Sequence, residues 1–329
     1  MGISLIVQKG QTVYDMSNLV QKINWGGKKS AMPRSIEVTM LDSDSHGHDR
    51  PDITIEDGQY CLFRWNGEEL FRGIFFTSNQ SRSRTGAYKA YDNGIYLAKN
   101  MDTFTYKKKT ATYIFSDICK KFEIPYSAVE TGYSIADLTM PNVTAADAVW
   151  SALSKTYKGN GGRYYILSEK GTLKLIARAD NLIQWVIEEG ANVIDFSRER
   201  SLENVYTRIV LYSDANKVLA SAKDTSIEAK LGIMQYTEQA DSKEKAATLQ
   251  ATANNLLTIK KKTEETLEVE ALGIPYIHSG VAVFLNIPYL GIKKTYYVDE
   301  DEHEFVGEKH TMRLKLNVAN EVEKQDEDD

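Results

Sequence analysis

"KKTYYVDEDEHEFVGEKHTMRLKLNV", residues 293–318, holds the clearest strand of the chain and its densest run of charge. Apolar residues alternate with polar ones through its second half, at Met312, Leu314, Leu316 and Val318. This period of two indicates a strand with one buried face. "TYYV" at 295–298 is typical of a partner strand. The stretch therefore predicts a hairpin that carries the charged run 299–304 at its solvated tip.

The charged run, "DEDEHE", has an alternative interpretation as a metal or acid/base site, because it offers five carboxylates and His303. A metal site needs side chains that converge, whereas consecutive residues of a strand point to opposite sides. Asp299 and Asp301 match the start of a calcium-loop pattern, but the glycine and glutamate that should follow are misplaced. The solvated tip is the favoured interpretation, and ion binding stays open.

The composition is that of a globular protein of 329 residues, with a net charge of −6 and 19 tyrosines. No long basic run is present, since "KKK" occurs only at 107–109 and 260–262, which argues against a general nucleic-acid binder. Cys61 and Cys119 form no CxxC motif, so free thiols in a reducing compartment are expected. We recognise no signal peptide and no apolar run of membrane-spanning length.

The first hundred residues have a strand-rich pattern. "SIEVTML" at 35–41 alternates apolar and polar residues, as a half-buried strand does. "YCLFRWNGEELFRGIFF" at 60–76 holds two apolar runs joined by Asn66 and Gly67, a pair that tolerates the positive φ of a tight hairpin turn. Short strands with turns at this spacing predict a barrel-like β domain over residues 1–105.

The pattern becomes helical after residue 105. "TATYIFSDICKKFEI" at 110–124 has helical apolar spacing, and Thr110 is its predicted cap. "NVTAADAVWSALSKTYKG" at 142–159 begins with Thr144 and Asp147, which is a variant of the capping box. A hairpin follows, and the glycine-rich "KGNGGRYY" lacks the lysine and the helix of a phosphate loop. These features predict a small α/β module over 106–195.

Strand patterns return from residue 196, beginning with "NVYTRIVLYSD" at 204–214. They predict a second barrel-like β domain over 196–320 with an inserted helix near 241–262, followed by an acidic disordered tail at 321–329. The predicted fold class is therefore α+β, mainly β, with two barrel-like β domains flanking the α/β module.

"DSDSHGHDRPD" at 42–52 is a second candidate ligand cluster, in which His46 and His48 occur together with Asp42, Asp44 and Asp49. These residue types also dominate loops, and a loop is the favoured interpretation. Glu188 and Glu189 are adjacent, and adjacent side chains rarely face one another. No hydrolase or metalloprotease motif is present. We therefore assign no catalytic, cofactor-binding or metal-binding residue and expect no enzyme activity and no cofactor.

The order of several stretches resembles the baseplate hub proteins of contractile phage tails and phage-tail-like particles. The nearest group is the XkdQ-like hub of PBSX-type defective prophages, which is related to the late control D proteins. The resemblance spans nearly the whole chain, and it is carried by "WGGKKSAMPRSIEVTM", "LFRWNGEELFRGIFF", "AYKAYDNGIYLAKN", "KTATYIFSDICKKFEIP", "ENVYTRIVLYSD", "LEVEALG", "IHSGVAVFLNIP" and "YYVDEDEHEFVGEKHTMRLKL".

This resemblance implies a structural homotrimer, in which two barrel-like domains per chain form a ring of six with a central channel. The implied partners are further copies of the chain, the tail tube protein, the spike and other baseplate proteins, with neither specific nucleic-acid binding nor membrane insertion. The implied location is the bacterial cytoplasm during assembly and then the baseplate of the released particle. Two alternatives remain: a tail-associated cell-wall hydrolase that uses Glu302 and Glu304, and a receptor- or carbohydrate-binding module.

Overall fold

The computed structural model describes residues 2–29, 31–41, 55–80, 85–178 and 182–317. Strands dominate these residues and helices are few, so the prediction of a mainly β protein is confirmed. The candidate cluster at 42–52 and the tail at 321–329 lie outside the described residues. No helix in the described ranges has the length and apolar character needed to cross a membrane.

The first seven strands and a short helix come from residues 3–99. They are β1 (Ile3–Lys9), β2 (Thr12–Asp15), β3 (Val20–Lys28), β4 (Ser35–Leu41), β5 (Tyr60–Trp65), β6 (Glu68–Gln80), β7 (Thr85–Tyr91) and α1 (Gly94–Lys99). The predicted strand at 35–41 coincides with β4. The predicted turn between β5 and β6 is confirmed, because Asn66 and Gly67 both have positive φ, 51° and 89°.

The next elements build a module of two small sheets and two helices. They are β8 (Met101–Thr110), α2 (Ala111–Lys121), β9 (Tyr126–Ala128), β10 (Ser134–Thr144), α3 (Ala145–Asn160), β11 (Tyr164–Glu169) and β12 (Thr172–Ala177). The side chain of Thr110 accepts a hydrogen bond from the N–H of Tyr113, which confirms the predicted cap. Thr144 and Asp147 form the full reciprocal capping box of α3.

Two strands and then a separate small unit follow the module. They are β13 (Leu182–Glu188), β14 (Val193–Ser201), β15 (Arg208–Tyr212), β16 (Val218–Lys223), α4 (Thr225–Leu231), β17 (Gln235–Gln239) and α5 (Ala246–Lys260). The order β16-β15-β17 forms a three-stranded sheet that α5 covers, and α5 is the predicted inserted helix. The predicted domain at 196–320 thus contains a second, separate sheet, and β14 crosses its predicted boundary.

The last four strands complete the large sheet. They are β18 (Glu264–Leu272), β19 (Ala282–Ile287), β20 (Ile292–Val306) and β21 (Lys309–Asn317). The strand order is β14-β18-β21-β20-β3-β4-β7-β6-β5-β1-β2, and β19 branches from β20 to reach β13. Between its described strands this path stays open, so the pairings do not close a barrel. The β20–β3 pairing joins the final strands to the first ones.

The predicted hairpin is present, but the prediction that residues 299–304 form its tip is wrong. β20 continues through this run to Val306, and the turn lies at Gly307, whose φ is 60°. Asp301 and His303 are buried, while Glu302 between them is exposed. The run therefore keeps the alternation of a strand, and its inward polar residues are compatible with burial because other buried groups bind them.

Candidate functional site: a buried charged junction

The β20–β3 pairing brings charged residues from three parts of the chain into the interior. His303 lies opposite Trp25 and Asp301 opposite Gly27 across the two strands. Arg34 lies in the connection between β3 and β4, at the same end of the pairing. We call the set Lys29, Arg34, Arg178, Asp299 and Asp301 the charged junction.

Arg34 and Asp301 form a two-pronged ion pair at the centre of the charged junction. The Nη1–Oδ1 and Nη2–Oδ2 distances are 2.8 and 2.6 Å. The N–H of Ser279 also donates to Asp301, and Arg34 donates to the Ser279 hydroxyl. The guanidinium lies 4.6 Å from the ring centre of Trp25, as a cation–π contact requires. Both charged side chains are nearly inaccessible to solvent, so each depends on the other for stabilisation.

The protonation of Asp301 follows from these contacts. Burial opposes the charged form, but the charge and hydrogen bonds of Arg34 outweigh it, so the pKa of Asp301 is lowered. The carboxyl is therefore ionised at neutral pH and fully engaged by donors. A group in this state cannot serve as a general acid, and its position in the interior keeps it from a substrate.

Asp299 holds the second half of the charged junction together. It accepts from Lys29 at 2.8 Å and from Arg178 at 3.1 Å. Lys29 follows β3, Arg178 follows β12 of the α/β module, and Asp299 belongs to β20, so one carboxylate links three parts of the chain. Arg178 also lies 4.7 Å from the ring centre of Tyr297. The arrangement fixes the position of the module against the large sheet.

A pair of histidines, the buried His303 and the partly buried His310, extends the row of inward polar residues along β20 and β21. His303 Nε2 lies 2.7 Å from the carbonyl oxygen of Ile277, which can only accept, so this nitrogen carries the proton. His303 Nδ1 then accepts from His310 Nε2 at 2.8 Å. Both rings are neutral, since burial lowers the pKa of His303 to about 4 and that of His310 to about 3.

The remaining carboxylates of the predicted cluster point the other way. Glu300 is ion-paired with Lys28 at 2.8 Å, Glu304 with Lys22, and Glu302 is exposed. The run thus separates into an inward set held by cations and an outward set in solvent. Within the described ranges, no three His, Cys, Asp or Glu side chains are grouped as metal ligands.

Glu188 and Glu189 are also separated in the structure. Glu188 accepts from the side-chain amide of Asn286, and Glu189 accepts from the backbone N–H of Tyr289. Each carboxylate thus fixes a different part of the chain, and the pair does not form an acid/base dyad. Both cysteines, Cys61 and Cys119, are buried and unpaired, as expected.

Local sequence patterns did not identify the cations of the charged junction or the Ser279 hydroxyl that accepts from Arg34. Arg34 and Asp301 are 267 positions apart, and Arg178 and Asp299 are 121 apart. Only β20 carried a sequence pattern that pointed to burial. Asp301, His303 and Phe305 are alternate residues, so they lie on the same face of a strand, and the last of them is apolar. This alternation predicts that the three side chains point into the core. Their buried partners become evident only when β3 lies beside β20.

Comparisons with known proteins agree with this architecture. Residues 23–317 match the YqbQ-like family. The chain is 38% identical over 307 residues to the phage-like element PBSX protein XkdQ of Bacillus subtilis, covering 92% of this chain and 93% of that protein. The fold is similar to that of the 43 kDa tail protein of prophage MuSo2 from Shewanella oneidensis, with a TM-score of 0.73 at 15% identity, covering 95% of this chain and 97% of the other.

A more distant similarity links the fold to a secretion system. The Escherichia coli protein c3393, a component of the type VI secretion system described as similar to the phage T4 tail proteins gp27 and gp5, gives a TM-score of 0.56 at 9% identity, covering 95% of this chain and 76% of the other. At this identity the similarity shows a shared fold. From the match over residues 23–317 and the 38% identity to XkdQ, the chain belongs to the YqbQ-like family and has the fold of phage tail proteins.

Proposed function

We propose that the chain is the structural baseplate hub of a contractile phage tail or phage-tail-like particle. It joins the tail tube to the spike as a homotrimeric ring with a central channel. In this ring the parts at 1–105 and 196–320 of each chain occupy successive positions around the axis. The chain assembles in the bacterial cytoplasm and remains in the baseplate of the released particle.

The observation that carries the proposal is the match to XkdQ of the PBSX element, which spans 92% of this chain at 38% identity. The charged junction supports it physically. A hub must keep its parts aligned while the sheath contracts, and the β20–β3 pairing with its buried ion pairs fixes those parts through many directional contacts.

The arrangement of the carboxylates argues against the hydrolase alternative. Cell-wall hydrolases of the two-carboxylate type place an acid and a base on opposite sides of the scissile bond. Here Glu302 and Glu304 lie two residues apart on the same outward face of β20, and Glu304 is engaged by Lys22. This geometry favours a structural role.

Deletion of the gene in a particle-producing host tests the proposal. We expect tails that lack an attached spike, and restoration of complete tails when the wild-type gene is supplied in trans. Immunogold labelling of the restored particles should mark the baseplate end. Complete tails in the deletion strain, or label along the sheath, would refute the hub assignment. Peptidoglycan clearing by the purified chain, lost in the Glu302→Gln variant, would instead support the hydrolase.

A further inference from the structure

Three cations share a single carboxylate at one end of the large sheet. Glu265 of β18 accepts a hydrogen bond from Arg198 of β14. Arg200 Nε lies 3.7 Å and Lys294 Nζ 3.9 Å from the same carboxylate. We call these four side chains the cationic cluster. Three cations against one carboxylate leave an excess of two positive charges.

The carboxylate of the cationic cluster is ionised, so the excess is a real one. Burial opposes the charged form of Glu265, but the hydrogen bonds from Arg198 and the Tyr296 hydroxyl outweigh burial, and the pKa of Glu265 is lowered. The carboxylates next to the cluster along β14 and β18 are Glu199 and Glu264. Because adjacent residues of a strand point to opposite faces, these two carboxylates lie on the other side of the sheet.

The two outer cations keep hydrogen-bond donors for a second acceptor. Their distances to Glu265 are longer than a hydrogen bond, and the side chains of Arg200 and Lys294 are 62% and 48% exposed. Lys28 differs from them, because it lies 2.8 Å from a carboxylate of its own, Glu300. An exposed positive excess with donors of this kind suits an acidic ligand.

The last described strand ends beside the cationic cluster. Asn317 of β21 lies opposite Thr266 of β18 and Tyr297 of β20. Glu265 and Tyr296 are the adjacent residues of those two strands, and neighbouring strands are about 4.8 Å apart. A segment that follows Asn317 closely in the sequence therefore starts within reach of the cluster.

The run 321–329, "EVEKQDEDD", has the charge that such a site would take. It begins four residues after Asn317, a span of at most about 14 Å. An effective concentration on the order of millimolar follows from so short a linker, so exposed ion pairs that are weak singly can hold the run in place. The run contains one lysine and six carboxylates, which are Glu321, Glu323, Asp326, Glu327, Asp328 and Asp329.

We propose that the cationic cluster is a docking site for an acidic peptide segment, and that the run 321–329 of the same chain occupies it in the free protein. Arg200 and Lys294 each donate to a carboxylate of the run, while Arg198 stays bound to Glu265. The bound run shields the positive excess, and rising salt releases it. The contact requires no assembled ring, so it is independent of the proposed function.

Zero-length cross-linking of the purified full chain tests this contact. A carbodiimide joins a carboxylate to an amine that touches it, and the amine of the cationic cluster is that of Lys294. We expect amide bonds between the run 321–329 and Lys294 at low salt, and their loss at about 1 M salt, where charges are screened beyond about 3 Å. Lys120, which is exposed on α2, is the control lysine and should rarely join the run. Cross-links that are as frequent at Lys120 as at Lys294 would overturn the proposal.

Isotope mixing identifies the chain to which the bound run belongs. Isotope-labelled and unlabelled chains are mixed in equal amounts before cross-linking, and the joined peptides are analysed by mass spectrometry. We expect both peptides of each pair to carry the same label. Mixed-label pairs in the proportion of random pairing would show that the run docks on a second copy, which contradicts occupancy by the same chain.

Arg200→Gln is the sharpest single variant, because it removes one outer cation and keeps Lys294 as the reporter. We expect its cross-link yield at Lys294 to fall at least about twofold, as the loss of one exposed ion pair implies. Arg313→Gln is the matched control, since Arg313 is equally exposed, at 64%, but pairs with Glu270. Equal yields in the two variants, each with a wild-type circular dichroism spectrum, would refute the role of the cluster.

Neutralising the run gives an independent measurement. When its six carboxylates are replaced by the corresponding amides, Lys294 should react several times faster with a small acetylating reagent than in the wild type at low salt. Lys120 should react at the same rate in both proteins. Equal rates at Lys294 would show that the run does not cover the cationic cluster.

Discussion

Removing Arg34 should destabilise the protein far more than removing an exposed lysine from a similar pair. Arg34→Met keeps the aliphatic packing of the side chain but leaves Asp301 buried with a charge that the remaining donor, the N–H of Ser279, cannot offset. Breaking a buried pair from one side costs about 3–5 kcal/mol. The two hydrogen bonds to Asp301 that are lost, at 2.8 and 2.6 Å, give a similar total of about 3–6 kcal/mol, from about 1.5–3 kcal/mol each.

Lys28→Met is the matched control, because Lys28 forms a 2.8 Å ion pair with Glu300 on the outside of the same strand pairing. With side-chain exposures of 59% and 40%, this pair should contribute at most about 1 kcal/mol. Urea denaturation at pH 7, followed by tryptophan fluorescence, measures both free energies of unfolding. Equal losses for the two variants would contradict the assignment of the Arg34–Asp301 pair as the buried contact.

The pH dependence of the Arg34→Met variant gives a second signature. In the wild type the pKa of Asp301 is lowered, so its contribution to stability is present at neutral pH and declines on acidification below about pH 4. Without Arg34, burial outweighs the remaining donor, the N–H of Ser279, and raises this pKa. Acidification then protonates the native carboxyl before the unfolded one. The gap between variant and wild type should therefore shrink from pH 7 to pH 4, and a constant gap would refute the electrostatic explanation.

Three further predictions concern single contacts. Burial lowers the pKa of His303 to about 4, against 6.5 for the ordinary group, so on acidification the unfolded chain takes up a proton before the folded one. On the order of 3 kcal/mol of stability should therefore be lost between pH 6.5 and 4. A Tm that stays constant across this range would contradict the prediction. Gly26→Ala would place a Cβ 2.5 Å from the carbonyl oxygen of Asp301 and should lower the free energy of unfolding by about 1–3 kcal/mol, whereas an unchanged urea midpoint would show that β3 and β20 can separate freely. Thr144→Ala removes the capping box with Asp147 and should lower stability by about 1 kcal/mol, measured by urea denaturation beside Thr139→Ala, an exposed strand position that should stay within about 0.5 kcal/mol of the wild type.

The features that the sequence predicted correctly depend on neighbours within a few positions. The strand at 35–41, the turn at Asn66 and Gly67, and the capping box of α3 each follow from the local backbone preferences of their own residues. These contacts form between residues that are close in the sequence, without a distant partner. Single-sequence patterns therefore identify them directly.

The charged junction could not be predicted in this way. Polar residues at inward positions of β20 produce the same letter pattern as a solvated loop, and the difference lies in partners such as Arg34, 267 positions away. The open strand order was equally hidden, because alternation shows that a strand has one buried face and not which strand lies beside it. The burial of these charges could therefore be predicted only together with the arrangement of the strands.

The β20–β3 pairing also sets the order of events during synthesis. Asp301 leaves the ribosome 267 residues after Arg34, which at about 5–20 residues per second is a delay of roughly 13–53 s. Throughout that interval β3 has β4 on one side and an unpaired backbone edge on the other. An unpaired edge is a template for aggregation, so nascent and truncated chains are the species that need a chaperone. Native structure therefore requires the complete chain, because a chain that stops before β20 cannot join β3 to the final strands of the large sheet.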